Sequence, residues 1–396
     1  GAYGVAVGDL DRDGWVDVLS ASENDDRIAW YKNNGDGSFG AMNTINAPDP
    51  DGPHGIGQGN ANGAVVVAVG DLDGDGDLDV LSASWIDNKF AWYENTGGAG
   101  TFGAQKIICD SCMGARFVQT VDIDRDGDLD VLYASYANDT VGWFENTDGA
   151  GYFGNNTVIT KEADNVYHAS AADLDGDGDP DILTASVGDN TIAWHMNIGG
   201  DGTFGRRRVL TTTADATQWV HAADVDNDGD NDVLYTAWST GQVAWFENVN
   251  GLGSLAGPKP FGETVNGARA VITGDLDRDG DLDAIVTGAA SQSTIAWFEN
   301  RGGQFAYAAT DVAPAILQQG QSASILKIDA IHRGRTGDTP VQLASTRILL
   351  ESAPDTPLTE TEANALIDSI AVYMDDGSGA YEPGHDTMVV NLNTLA

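Results

Sequence analysis

Twenty-four aspartates set in six copies of one frame are the side chains of this sequence best placed to do chemistry. The frame is D-x-D-x-D-G-x-x-D. It is filled by Asp9, Asp11, Asp13 and Asp17; by Asp71, Asp73, Asp75 and Asp79; by Asp122, Asp124, Asp126 and Asp130; by Asp173, Asp175, Asp177 and Asp181; by Asp224, Asp226, Asp228 and Asp232; and by Asp275, Asp277, Asp279 and Asp283. Carboxylates packed this closely repel one another unless a cation lies among them. Side chains at positions 1, 3 and 5, a carbonyl at 7 and a closing carboxylate at 9, with glycine at 6 to allow the sharp turn, form the oxygen-only donor set that Ca²⁺ takes. Position 7 changes freely (Trp15, Asp77, Asp128, Asp179, Asp230, Asp281), as suits a residue that lends only its carbonyl. About six structural Ca²⁺ are therefore expected.

The elements that position these loops follow from their spacing. First aspartates recur at intervals of 62, 51, 51, 51 and 51 residues, which makes them one repeated unit rather than scattered surface turns. Each loop follows a short apolar strand and precedes a second, such as 79–84. A third strand then carries a tryptophan (Trp30, Trp92, Trp143, Trp194, Trp245, Trp297), and an Asn- and Gly-rich turn leads to Phe39, Phe102, Phe153, Phe204, Phe261 or Phe305 at the start of a fourth. Four antiparallel strands per repeat of about 50 residues predict an all-β fold, a β-propeller of six visible four-stranded repeats closing with six or seven blades. The aromatic ladders are expected in its core. The propeller is assigned to 1–312 and a small accessory β-rich, sandwich-like module to 313–396, with strands over 325–331, 341–351, 370–374 and 387–392, a short helix over 363–370 behind a Thr359/Glu362 capping box, and an acidic turn over 375–386.

The unit running from Val69 to Ser84, followed by Ala91-Trp-Tyr-Glu-Asn95 and Thr101-Phe-Gly103, resembles the FG-GAP or VCBS-type repeats of integrin α-subunit propellers and many secreted bacterial proteins. The resemblance covers roughly 310 residues. It implies that each acidic loop joins the first two strands of a blade and binds Ca²⁺. It does not carry a function, since relatives include adhesion receptors, lectins and non-catalytic propellers attached to enzymes.

Composition narrows the partners. A formal charge of −42, from 61 acidic against 19 basic residues, argues against nucleic acid or an anionic membrane. Without an initiating Met, an apolar leader or a run of 18 apolar residues, the chain reads as a processed or excised piece of a soluble protein. Six calcium loops are filled where free Ca²⁺ is high, so an extracellular or cell-surface location is expected. Cys109 and Cys112 form a C-x-x-C read as a local disulfide or thiol pair. Eleven surplus residues within 47–60 make an irregular loop between the first two repeats.

In a four-strand blade the acidic loops occupy one face of the ring, leaving the other for recognition. Six residues before each first aspartate stand Tyr3, Val65, Arg116, Tyr167, Gln218 and Arg269, a variable and mostly polar series near the channel mouth. Fourteen residues after it stand Glu23, Trp85, Tyr136, Val187, Trp238 and Ala289. Tyr3, Trp85, Arg116, Tyr136, Tyr167, Gln218, Trp219, Trp238 and Arg269, with His168 nearby, are the candidate residues for a protein or carbohydrate partner on that face. No catalytic grouping assembles: the six histidines are scattered and the clustered carboxylates are claimed by metal. The expected role is binding, adhesion or surface assembly, including self-assembly. A calcium-assisted polysaccharide-degrading enzyme, or its non-catalytic targeting domain, is the second reading.

Overall fold

The computed structural model describes residues 2–46, 61–278, 280–289 and 293–300, and beyond them the strands 305–311, 326–332, 351–353, 356–357, 370–374 and 387–392. Its contacts divide the chain into Gly1–Asn300 and Arg301–Ala396. The expected features at 47–60, the strand over 341–351 except its last residue, the capping box at Thr359 and Glu362, the helix residues 363–369, the turn over 375–386, and Asp279 lie outside the described residues.

The first unit is a six-blade, all-β propeller. Blade one is built from Ala2–Gly8, Asp17–Ser22, Arg27–Asn33 and Phe39–Thr44 in sequential antiparallel order, and the next four blades repeat that order. The second strands, Asp79–Ser84, Asp130–Ser135, Asp181–Ser186 and Asp232–Ala237, are buried along their whole length. That explains why they read as continuous apolar and small-residue runs without alternation: a neighbouring blade covers each face. Core clusters accordingly straddle blades, as where Leu72 and Trp92 pack with Val118, Tyr133 and Phe144.

The first strand of every blade carries a β-bulge at one place. In blade three Ala115 pairs with Ser135 and Phe117 with Ala134, which leaves Arg116 as the extra residue. Register shifts at the same step leave Tyr3, Val65, Tyr167, Gln218 and Arg269 unpaired in their own blades. Such a residue is turned out of the ladder and its side chain is re-aimed.

Two expectations need correction. Among the described residues the strand opening at Phe305 is not paired with blade six, whose described strands are Ala268–Gly274, Asp283–Gly288 and Thr294–Phe298; Phe305–Asp311 pairs with Leu326–His332. The tryptophan ladder is buried in blades one to four, but Trp297 is 51% exposed and so is Phe39. Ile295 beside Trp297 on the third strand of blade six is exposed, as are Val5 and Val7 on the first strand of blade one. Packing between blades is thus what buries these ladders. In the second unit, Ile370–Met374 and Thr387–Leu392 form the expected strands and pair with each other. Among the described residues no helix is long and apolar enough to cross a membrane.

Candidate functional site

Each acidic loop is held by its ninth residue. Asp79, Asp130, Asp181, Asp232 and Asp283 are fully buried. One oxygen of Asp130 accepts from the Ile123 N–H at 2.9 Å and the other from the Asn146 N–H at 2.9 Å, tying the start of the loop to the third strand. The same pair of bonds recurs for Asp79 with Leu72 and Asn95, and for Asp232 with Val225 and Asn248. Position 6 is always glycine because its φ lies at 87° to 100° in all six loops, beyond what a side chain tolerates. Position 4 is left-handed too, with φ of 56° to 73°, and is filled by Arg12, Gly74, Arg125, Gly176, Asn227 and Arg278.

Carboxylate oxygens converge within 4.8 Å in five loops: Asp71, Asp73 and Asp79; Asp122, Asp124 and Asp130; Asp173, Asp175 and Asp181; Asp224, Asp226 and Asp232; and, in the first, Asp9, Asp11 and Asp13. The fifth-position Asp75, Asp126, Asp177 and Asp228 stand outside these groupings, as does Asp17; Asp75, Asp126 and Asp177 each cap the N–H two residues on. No grouping involving Asp275, Asp277 and Asp283 occurs among the described residues.

The electrostatics of the four loops that begin at Asp71, Asp122, Asp173 and Asp224 fit a hard cation. Burial pushes the carboxyls of Asp79, Asp130, Asp181 and Asp232 up to about 7, against the pull of their backbone N–H donors. Asp226 is pushed up to about 6 by burial and then by Asp228, Glu247 and Asp224. Asp71 Oδ1, Asp122 Oδ1 and Asp175 Oδ1 are buried without a hydrogen-bond partner. Buried, unpartnered, mutually repelling oxygens are the complement of a divalent ion. The first loop differs, because Lys32 reaches both Asp11 and Asp13 and holds the Asp13 carboxyl below its usual range.

Two features escaped the sequence reading. The asparagine sixteen residues after the closing aspartate links blades: Asn95 Nδ2 donates to the Leu10 carbonyl of the previous blade at 2.8 Å, Asn146 to Leu72, Asn197 to Ile123, Asn248 to Leu174, and Asn300, seventeen residues on, to Val225. Position 7 also lends more than its carbonyl, since Arg12 pairs with Asp77 at 2.5 Å, Arg125 with Asp179 at 2.5 Å, and Asn227 donates to Asp281 at 3.1 Å, each across a blade boundary. The regular recurrence of asparagine and of Arg or Asn at position 4 was the signal for both.

On the opposite face the bulge residues of four blades meet. Arg116 and Arg269 both donate to the Tyr3 and Tyr167 hydroxyls, and those hydroxyls bond each other. The Arg116 guanidinium lies 4.1 Å from the Tyr167 ring and Arg269 lies 4.2 Å from that of Tyr3. Tyr136 packs edge-on against Tyr167 at 6.2 Å, and the Trp238 ring is 5.7 Å from Arg269. Trp219 stacks on His168 at 3.7 Å, with Phe117 beyond at 4.2 Å. Gln218 Oε1 and Trp219 Nε1 are buried without partners. Trp85 takes no part in these ring contacts; its indole N–H donates to Glu23 at 2.9 Å. Cys109 and Cys112 form a disulfide beside a cavity of about 590 Å³ between blades two and three, lined by Tyr133, Asn156 and Lys161 among others.

The profile of the FG-GAP-like repeat matches five overlapping windows, 9–82, 71–133, 122–184, 173–235 and 224–286, each spanning two consecutive acidic loops. The chain belongs to the FG-GAP-like repeat family. Among solved structures this FG-GAP-like propeller is similar to an Agrocybe aegerita lectin described as recognising non-reducing terminal N-acetylglucosamine, with 18% identity, a TM-score of 0.53, and 75% of this chain and 80% of that one covered. It also aligns with a Lactobacillus plantarum protein at 16% identity and a TM-score of 0.49, covering 74% and 80% of the two chains. Virginiamycin B lyase from Staphylococcus aureus aligns at 13% identity and a TM-score of 0.39, covering 72% and 91%. At 18% identity the likeness to the lectin is one of fold alone. No curated protein matches the chain.

Proposed function

We propose that this propeller is an extracellular, calcium-stabilised binding module whose recognition face lies opposite the acidic loops and takes a glycan or protein partner in adhesion or surface assembly. The observation that carries this reading is the convergence of Tyr3, Arg116, Tyr136, Tyr167, Trp238 and Arg269, contributed by five blades, on the face away from the metal loops. A bulge at one step of each blade presents the innermost of them, so the arrangement is a product of the fold and not of one loop. The fold also serves as a lectin scaffold in the Agrocybe aegerita protein. Asp71, Asp73 and Asp79 and their counterparts would hold Ca²⁺, which supplies the charge that lets buried carboxylates coexist.

The test is a glycan array, with a search for protein ligands, on the wild type and on Trp85→Ala combined with Trp238→Ala. Loss of binding with the melting temperature unchanged supports the reading. Binding that survives in the variant refutes the placement of the surface.

A further inference from the structure

Among the described residues the hub, where the bulge residues meet, contains two arginines and no acid. Arg12, Arg125 and Arg207 each pair with a carboxylate, as do Lys32, Lys106 and Lys259. Arg116 and Arg269 form no ion pair among the described residues, in a chain with 61 acidic groups to choose from. Each guanidinium has five N–H donors, yet what they meet is a pair of neutral hydroxyls. Arg269 Nε is buried with no partner at all. Burial, and then the charge of Arg269, lowers the pKa of Arg116, as expected where two like charges share a site without a counter-ion.

We infer that Arg116 and Arg269 together bind the carboxylate of an acidic sugar, whose ring lies against Tyr136 and Trp238; this rests on the recognition face proposed above. A carboxylate offers two coplanar oxygens, the complement of the guanidinium fork, and two arginines aimed at one spot match both. The flanking aromatics suit the apolar face of a pyranose and leave an acidic glycan as the source of the carboxylate. The large negative charge of the chain does not forbid this. Arg116 stands at the opening of its strand and Asp122 just past the end, a separation of roughly 20 Å at 3.3 Å per residue. The screening length at physiological salt is about 8 Å, so the acidic loops are barely felt at the hub.

Calorimetry on the full chain with oligogalacturonate, its methyl ester and a neutral N-acetylglucosamine oligomer tests this, beside the double variant Arg116→Met with Arg269→Met. The free acid is expected to bind about tenfold or more tighter than the ester, with a preference that shrinks as salt rises. The double variant is expected to bind both within about twofold, with no loss of melting temperature, since two like charges leave the hub. Should that variant fold poorly, Arg269→Gln alone must reduce the preference. Equal binding of acid and ester, no binding of the acid, or a preference that survives the arginine variants overturns the inference. If only the neutral oligomer binds, and Trp238→Ala abolishes it, the recognition face stands and the carboxylate site falls; if no glycan or protein binds at all, the recognition face itself fails.

Discussion

Asn146 carries more of the ring than its exposure-blind sequence position suggests. Its amide donates to the Leu72 carbonyl of the preceding blade and to Leu129 of its own, and its oxygen accepts from the Gly151 N–H. Asn146→Ala leaves two carbonyls and one N–H without partners in a buried site, an expected loss of about 2 to 3 kcal/mol in denaturant unfolding. Asn33 is the internal control. Its amide donates to the Val16 carbonyl of its own blade, so Asn33→Ala is expected to cost less than half as much. Equal losses would show that the amide matters within a blade and not between blades. His195 is a second case. It fills a strand position held by Tyr93, Phe144 or Phe246 in other blades, is 1% exposed, and burial followed by Arg207 pushes its pKa down to about 4. Because the folded value lies below the unfolded 6.5, the unfolded chain takes up the proton first, and stability falls as pH drops from about 6.5 toward 4, by about 3 kcal/mol in all. His195→Phe should remove that part of the slope: relative to the wild type the variant gains stability at pH 5 compared with pH 7.5, and parallel curves would refute the assignment.

At the scale of the blade, the sequence discloses what is repeated and local and conceals what is relational. The acidic frame, the two-strand clamp around it and the apolar second strand are written into 51-residue spacing, and the structure builds them accordingly. The fifth-position aspartates look like ligands in a linear motif; the turn also has Asp75, Asp126 and Asp177 cap backbone N–H groups through Oδ1, a second role the motif does not disclose. The bulge that re-aims Arg116 and Tyr167 is a one-residue change of register, which leaves no mark on composition and only a faint one on alternation. Asn95 and its counterparts look like turn asparagines, since asparagine is common at such places; their role appears only when the previous blade is alongside. The fourth strand of blade six shows the limit of repeat arithmetic. Phe305 stands where a blade strand should open, but its backbone pairs with Leu326–His332.

For the ring as a whole, charge decides the balance between folding and repulsion. The described loop carboxylates each follow the first strand of a blade and so lie on one face, and the buried ones are held at a cost that burial makes plain by raising Asp79, Asp130, Asp181 and Asp232 to about 7. Lys32 gives the first loop a cation of its own, so dependence on metal should fall mainly on the loops beginning at Asp71, Asp122, Asp173 and Asp224. A site at a hundredfold excess over its dissociation constant adds about 2.7 kcal/mol to stability. In a unit the size of Gly1–Asn300 each kcal/mol moves the midpoint by roughly 1.6 °C. Four such sites acting together therefore predict a fall in melting temperature of at least about 10 °C when divalent ions are stripped with chelator at low salt. Raising NaCl to about 1 M, where the screening length shrinks to about 3 Å, should recover part of that loss, because salt relieves repulsion between exposed carboxylates but cannot replace an ion coordinated by buried ones. Readdition of Ca²⁺ should recover all of it, and Mg²⁺ less, given its demand for tighter octahedral geometry. A chain that melted at one temperature with and without divalent ions would show that the backbone N–H donors and Lys32 alone offset the repulsion, and the loops would lose their standing as metal sites.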